Sequence, residues 1–205
     1  PDVLTSLVST GFDAVSFANN HVYDQGREGF VETLDLLDAS HLGYVGAGRT
    51  CADARRARII DRNGLRMAFL GVTDLFNQPL NAGSDEPCAA ELVEDEILAE
   101  GVRARALGAE VVILSVHWGV EYEPAPTEDQ VAAAHRLIEG GVDVILGHHP
   151  HVLQRIEEVA AAAGDDNLVP RRLSVGADSL RRLCLTARRC LGLRRRERDG
   201  DDAKA

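Results

Sequence analysis

The chain has 205 residues, 45% of them apolar and 27% charged, with a net charge of −11. That length suits one domain with a real core, which excludes collagen-like, disordered and disulfide-scaffold classes. No run approaches 18 apolar residues, so no membrane-spanning helix is expected, and the negative charge argues against nucleic acid as main partner.

A helix is expected over residues 2–10, ending at Gly11. Ala14 to Phe17 reads as a short buried strand running into Ala18-Asn19-Asn20-His21. Asp24 is placed to N-cap a helix over 27–39, with Phe30, Val31, Leu34 and Leu37 on one face. Tyr44-Val45 begins another strand. Arg58 to Ile60 and Met67 to Val72 form a hairpin around Asn63-Gly64. Residues 77–88 read as a loop and residues 90–107 as a helix. Val111 to Val116 is the clearest buried strand and ends in His117-Trp118-Gly119. Thr127 and Gln130 make a capping box for a helix over 127–139. Val142 to Leu146 is the next buried strand, ending in Gly147-His148-His149-Pro150-His151, and residues 152–159 are expected to add one more. Strands alternating with helices predict an α/β fold, and uniformly apolar strands are covered on both faces.

Cys51, Cys88, Cys184 and Cys190 show neither CxxC nor Cys/His zinc spacing, and unpaired structural thiols are expected. The charge is uneven. Residues 1–170 carry a net −17, whereas 171–205 carry ten Arg and one Lys against five acids. The expected division is a domain over 1–170 and an Arg-rich tail over 171–205, either solvated and disordered or out of frame. The chain opens on Pro1 with no signal-peptide pattern, which reads as a piece of a longer or processed protein.

Five of seven histidines, His21, His117, His148, His149 and His151, follow buried strands, where ligand sites form in α/β folds. His41 and His135 do not and are read as surface or packing residues. In an extended segment His149 and His151 point the same way, toward one metal site, and His148 points away. Imidazole is the common nitrogen ligand for Zn, Mn or Fe. His117 completes a three-histidine cluster, Asn20 offers a neutral oxygen, and His21 is placed to donate a proton. Trp118, the single tryptophan, is expected to wall this site.

The segment Gly11-Phe12-Asp13-Ala14-Val15-Ser16-Phe17-Ala18-Asn19-Asn20-His21, with Asp24 and Gly26, resembles the poly-γ-glutamate capsule synthesis family, CapA or PgsA. So do Val45-Gly46-Ala47-Gly48, Ser115-Val116-His117-Trp118-Gly119-Val120-Glu121-Tyr122 and Gly147-His148-His149-Pro150-His151-Val152, covering roughly residues 1–157. That family looks like a branch of the calcineurin-like metallophosphoesterases. The resemblance implies a metallophosphatase-like αββα sandwich, two mixed sheets flanked by helices. It implies two divalent ions (Mn, Fe or Zn) held by Asn20, His117, His149 and His151, with His21 as the catalytic acid. The superfamily's first two metal motifs precede the Asn-Asn-His segment, and the chain starts after them, so an N-terminally truncated domain with weak metal binding and little or no activity is expected.

Two functions compete at this stage. One is a metal-dependent phosphoesterase-like hydrolase of capsule or poly-γ-glutamate biosynthesis, acting on a phosphoester or an anionic polymer with other capsule synthesis proteins. The other is a non-catalytic surface or export component that binds an anionic capsular polymer. An accessory that forms or cleaves peptide bonds is a weaker third reading, and no Walker loop supports ATP-driven ligation. The resemblance places the parent protein at the cell surface or on a membrane anchor.

Overall fold

The computed structural model describes residues 2–78, 83, 85–159 and 171–175, with backbone alone at 2 and 171–175. The expected basic tail past residue 175, with Cys184 and Cys190, lies outside the described residues. The elements run α1 (Asp2–Ser9), β1 (Ala14–Ser16), α2 (Gly26–Ala39), β2 (Gly43–Val45), β3 (Ala47–Gly48), α3 (Cys51–Ala54), β4 (Arg58–Arg62) and β5 (Leu65–Thr73). They continue through β6 (Cys88–Ala89), α4 (Glu94–Ala106), β7 (Val111–His117), α5 (Glu128–Glu139), β8 (Val144–His148), β9 (Ile156–Val159) and β10 (Arg171–Val175). Among the described residues no helix is long and apolar enough to cross a membrane.

Six strands form the large sheet in the order β4-β5-β7-β8-β10-β9, parallel from β5 to β10 and antiparallel at both edges. Two short pairs stand apart, β1 with β2 in parallel and β3 with β6 antiparallel. Successive strand residues face opposite sides. Leu70 and Val72 of β5, with Val112, Leu114 and Val116 of β7, share a buried cluster with Ile97 and Ala104 of α4 and Ala134, Leu137 and Ile138 of α5. Gly71 faces the other way, where an added Cβ would lie 3.0 Å from Ser16 Oγ and Val45 Cγ2. The small sheet therefore seats directly on the large one. Phe30 and Leu34 of α2 cover it in a second cluster with Val22, Tyr23, Ala47 and Ala89. The layers run α2, small sheets, large sheet, α4 with α5, which is the αββα arrangement expected.

Local chemistry explains most boundaries. Asn63 (φ 56°) and Gly64 (φ 83°) both take the left-handed conformation that a tight two-residue hairpin needs. At α5 the capping box is complete: Gln130 N–H donates to Thr127 Oγ1 at 3.2 Å and Thr127 N–H donates to Gln130 Oε1 at 2.9 Å. Asp24 does not cap α2; Gln25 holds that position with no side-chain bond. The Asp24 carboxylate is taken instead by His21 Nδ1 at 2.6 Å.

The expectation of unpaired thiols fails for two cysteines. Cys51 and Cys88 form a disulfide, with Cα atoms 5.2 Å apart and a sequence separation of 37. The pairing joins α3 to β6, two elements too short for periodicity to reveal. The large sheet also extends past residue 170, where the composition changes, because β10 lies between β8 and β9.

Candidate metal centre

Parallel pairing builds the site. Thr73 of β5 aligns with His117 of β7, and His117 aligns with His148 of β8, so three strands end on one rim. The turn after β1 brings Asn20 to the same rim, with its Oδ1 2.9 Å from His117 Nε2. The His117 ring centroid lies 4.7 Å from that of His149, and His149 lies 5.8 Å from His151. Asn20, His117, His149 and His151 are thus brought together.

His21 stands at the exposed margin. Its Nδ1 holds Asp24 Oδ2 at 2.6 Å and lies 3.1 Å from Asn77 Nδ2, while Asn77 Oδ1 accepts from Asn20 Nδ2 at 3.1 Å. Asn77 therefore links His21 to the Asn20 end of the cluster.

Three expectations need correcting. His149 and His151 do not converge through extended backbone. Their φ angles are 103° and 58°, so the loop curls through left-handed positions instead. His148 does differ in direction from His149, yet it does not point away from the cluster. Its Nδ1 lies 2.7 Å from His117 Nδ1, and its Nε2 lies 3.0 Å from Ser115 Oγ. Trp118 is 1% exposed and packs in the main core instead of walling the site. Strand alternation accounts for this: Trp118 continues the Val112, Leu114, Val116 face, while His117 takes the other.

The electrostatics favour neutral imidazoles. Burial pushes His117 down to about 3, helped by the neighbouring histidines His148, His149, His151 and His21. Burial likewise takes His148 down to about 4, helped by His149. Burial lowers His149 too, with Glu121 pulling the other way. Neutral imidazoles keep a lone pair for a cation. Among the described residues His149 Nδ1 is buried with no hydrogen-bond partner. A buried nitrogen left in that state is costly unless something else takes its lone pair. The donor set therefore fits a divalent ion.

Sequence reasoning missed the roles of four residues. Asp24 and Asn77 orient His21, His148 backs His117, and Glu121 lies beside His149 and His151. Glu121 belongs to the quoted segment after His117, and an acid four residues past a candidate ligand at a strand end was the available signal. His41 is exposed, and His135 pairs with Glu157 Oε1 at 2.9 Å, both as expected.

With this geometry in hand, the comparisons with known proteins are specific. The family profile for the bacterial capsule synthesis protein PGA_cap matches residues 1–169. The capsule biosynthesis protein CapA of Bacillus anthracis is 33% identical over 159 residues, covering 76% of this chain and 39% of that protein. The PGA biosynthesis protein CapA of Bacillus subtilis (strain 168) is 34% identical over 152 residues, covering 74% of this chain and 40% of its own length. A probable polyglutamine synthesis accessory protein of Mycobacterium tuberculosis is 30% identical over 171 residues, covering 77% of this chain and 44% of its own length. This chain thus spans about two fifths of the relatives it resembles. In fold it is similar to the NAD nucleotidase NadN of Haemophilus influenzae, with a TM-score of 0.54 at 16% identity over 84% of this chain and 31% of that one.

Proposed function

Because the chain belongs to the bacterial capsule synthesis protein family PGA_cap, we propose that it serves capsular poly-γ-glutamate biosynthesis through a divalent-metal-dependent, phosphoesterase-like site. The observation that carries this reading is the meeting of Asn20, His117 and His149 from three separate strand ends, with His117 Nε2 2.9 Å from Asn20 Oδ1. Binding an acidic polymer by charge alone would need a basic surface, and residues 1–170 carry a net −17. A cation in the pocket meets that need, and the histidines supply its ligands.

Asn20, His117, His149 and His151 would hold two divalent ions, Mn, Fe or Zn. A bound cation there polarises a phosphoryl oxygen and offsets charge that develops in the transition state. The chain's own groups do the rest. His21 Nδ1 is anchored on Asp24, which fixes the ring and leaves Nε2 to give a proton to a leaving oxygen. Asn77 Oδ1 accepts from Asn20 Nδ2, and the Asn77 side chain stands between the acid and the ligand set.

The test is Mn²⁺ binding to the purified chain by calorimetry, beside hydrolysis of an aryl phosphodiester. Saturable binding lost in both His117→Ala and His149→Ala is expected. His21→Ala should keep the metal and lose any metal-stimulated hydrolysis. Binding that persists unchanged in both ligand variants would overturn the reading. Retention of poly-γ-glutamate by the metal-loaded chain, lost on chelation, would favour the non-catalytic alternative, a component that holds an anionic capsular polymer through its bound cation.

A further inference from the structure

We infer that Glu121 is a carboxylate ligand that, with His149 and His151, holds a divalent cation on this chain without any other acidic group. This rests on the metal-centre reading above and deepens it. Glu121, His149 and His151 each offer a ligand atom, and the three atoms lie within 4.8 Å of one another. Among the described residues this is the one such group of His, Cys, Asp or Glu. The Glu121 Oε1 to His151 Nε2 separation is 4.0 Å, too long for a hydrogen bond. Two ligand atoms about 2.0–2.2 Å from one ion stand roughly 3–4 Å apart, so the gap is the size of a shared cation.

A second observation points the same way. His149 is 9% exposed, and its Nδ1 is buried without a partner. Among the described residues no protein group satisfies that nitrogen, which leaves its lone pair for a cation.

The backbone around the trio is also held in an unfavourable form. Among the described residues four non-glycine positions have positive φ, and three of them, Tyr122 (63°), His149 (103°) and His151 (58°), lie here. Each costs about 1–3 kcal/mol and persists only where the surroundings impose it. What imposes it is a pair of cross-links between the two loops. Tyr122 N–H donates to Pro150 O at 2.7 Å, and Gln154 Nε2 donates to Glu123 O at 2.8 Å. The Tyr122 ring stacks on His151, with centroids 6.0 Å apart. Glu121 is thus carried across the His149–His151 loop by its own neighbours.

Asn20 and the imidazoles are neutral ligands, and none of them offsets the charge of a dication. One carboxylate does. Two imidazoles and a carboxylate suit Zn, Mn or Fe.

The experiment titrates Co²⁺ into the 205-residue chain, following visible absorption for the coordination sphere and calorimetry for affinity. The unchanged chain should bind Co²⁺ saturably. Glu121→Gln, which keeps the side-chain shape, should weaken binding at least about tenfold and shift the absorption bands. Glu121→Asp should recover part of the affinity. Far-UV dichroism of each variant confirms folding. If Glu121→Gln binds like the parent while His149→Ala does not, the Glu121 inference fails and the metal-centre reading stands. If the unchanged chain binds no metal, both fail.

Discussion

His117 has a partner on each ring nitrogen, and that fixes what it can do. With both rings neutral, His117 Nε2–H donating to Asn20 Oδ1 leaves Nδ1 to accept from His148 Nδ1–H, and His148 Nε2 to accept from Ser115 Oγ–H. The chain also runs in reverse, with Ser115 Oγ as final acceptor and the His117 Nε2 lone pair free for a cation. His148 is then the positioning residue for His117. His148→Leu should weaken metal binding about 10–100-fold by calorimetry while far-UV dichroism is unchanged. Affinity equal to the parent would remove that role. The same rings set a pH dependence. Free imidazole titrates near 6.5, whereas burial holds His117 at about 3 and His148 at about 4. Below pH 6.5 the unfolded chain takes up protons that the folded chain refuses, so stability is full above that pH and falls as pH drops toward 4. Thermal melts of the metal-free chain from pH 7 to pH 4.5 should show a falling midpoint, with a shallower fall in His148→Leu. The five candidate site residues were legible because strand ends followed by His are visible in the sequence. Glu121, Asp24 and His148 were assigned no such role, because their roles depend on left-handed turns and ring directions that spacing does not encode.

Elements with their own local chemistry were the most readable. The α5 capping box and the Asn63-Gly64 hairpin are each written in adjacent residues and appear as expected. Thr127→Ala removes the side-chain acceptor for Gln130 N–H and should cost about 1 kcal/mol in urea unfolding. Asp24→Ala should cost α2 little by the same measurement, because α2 has no side-chain cap, and should act on His21 instead. A large stability loss in Asp24→Ala would show that it supports the helix after all. Less readable were α3 and β6, four and two residues long. Neither is long enough for a hydrophobic period; α3 is capped by Thr50 Oγ1, which accepts from Asp53 N–H, and the disulfide ties the two elements together. Trp118 was misplaced because its position beside His117 was weighed above the alternation of β7, which assigns the two residues to opposite faces.

Across the whole molecule, two long-range devices hold the layers together. The Cys51–Cys88 disulfide closes a loop of 37 residues in sequence, and loop-closure entropy of that size is worth about 3–4 kcal/mol. Reductant should lower the melting temperature of the parent and leave Cys88→Ser unaffected; equal shifts in both would assign the effect elsewhere. The second device is the close seating of the small sheet on the large one at Gly46 and Gly71. A Cβ on Gly46 would lie 2.6 Å from Ala18 Cβ, at a backbone φ of 83°. Gly46→Ala should therefore cost about 2 kcal/mol or more. The αββα class followed from the motif resemblance and the alternation of elements, whereas this inter-sheet contact depends on three-dimensional packing that one sequence does not display. The position of β7 has a consequence for motion. Its residues pair with β5 on one side and β8 on the other, all the way to His117. Its amides should exchange with deuterium only on global opening, while those of residues 119–123 and 149–152, beyond the last paired rung, exchange through local excursions. The candidate ligand His117 should thus sit on the slowest part of the molecule, with His149 and His151 on a faster one. A cation should leave β7 protection unchanged and register as slowed exchange in those two loops and in the turn that carries Asn20.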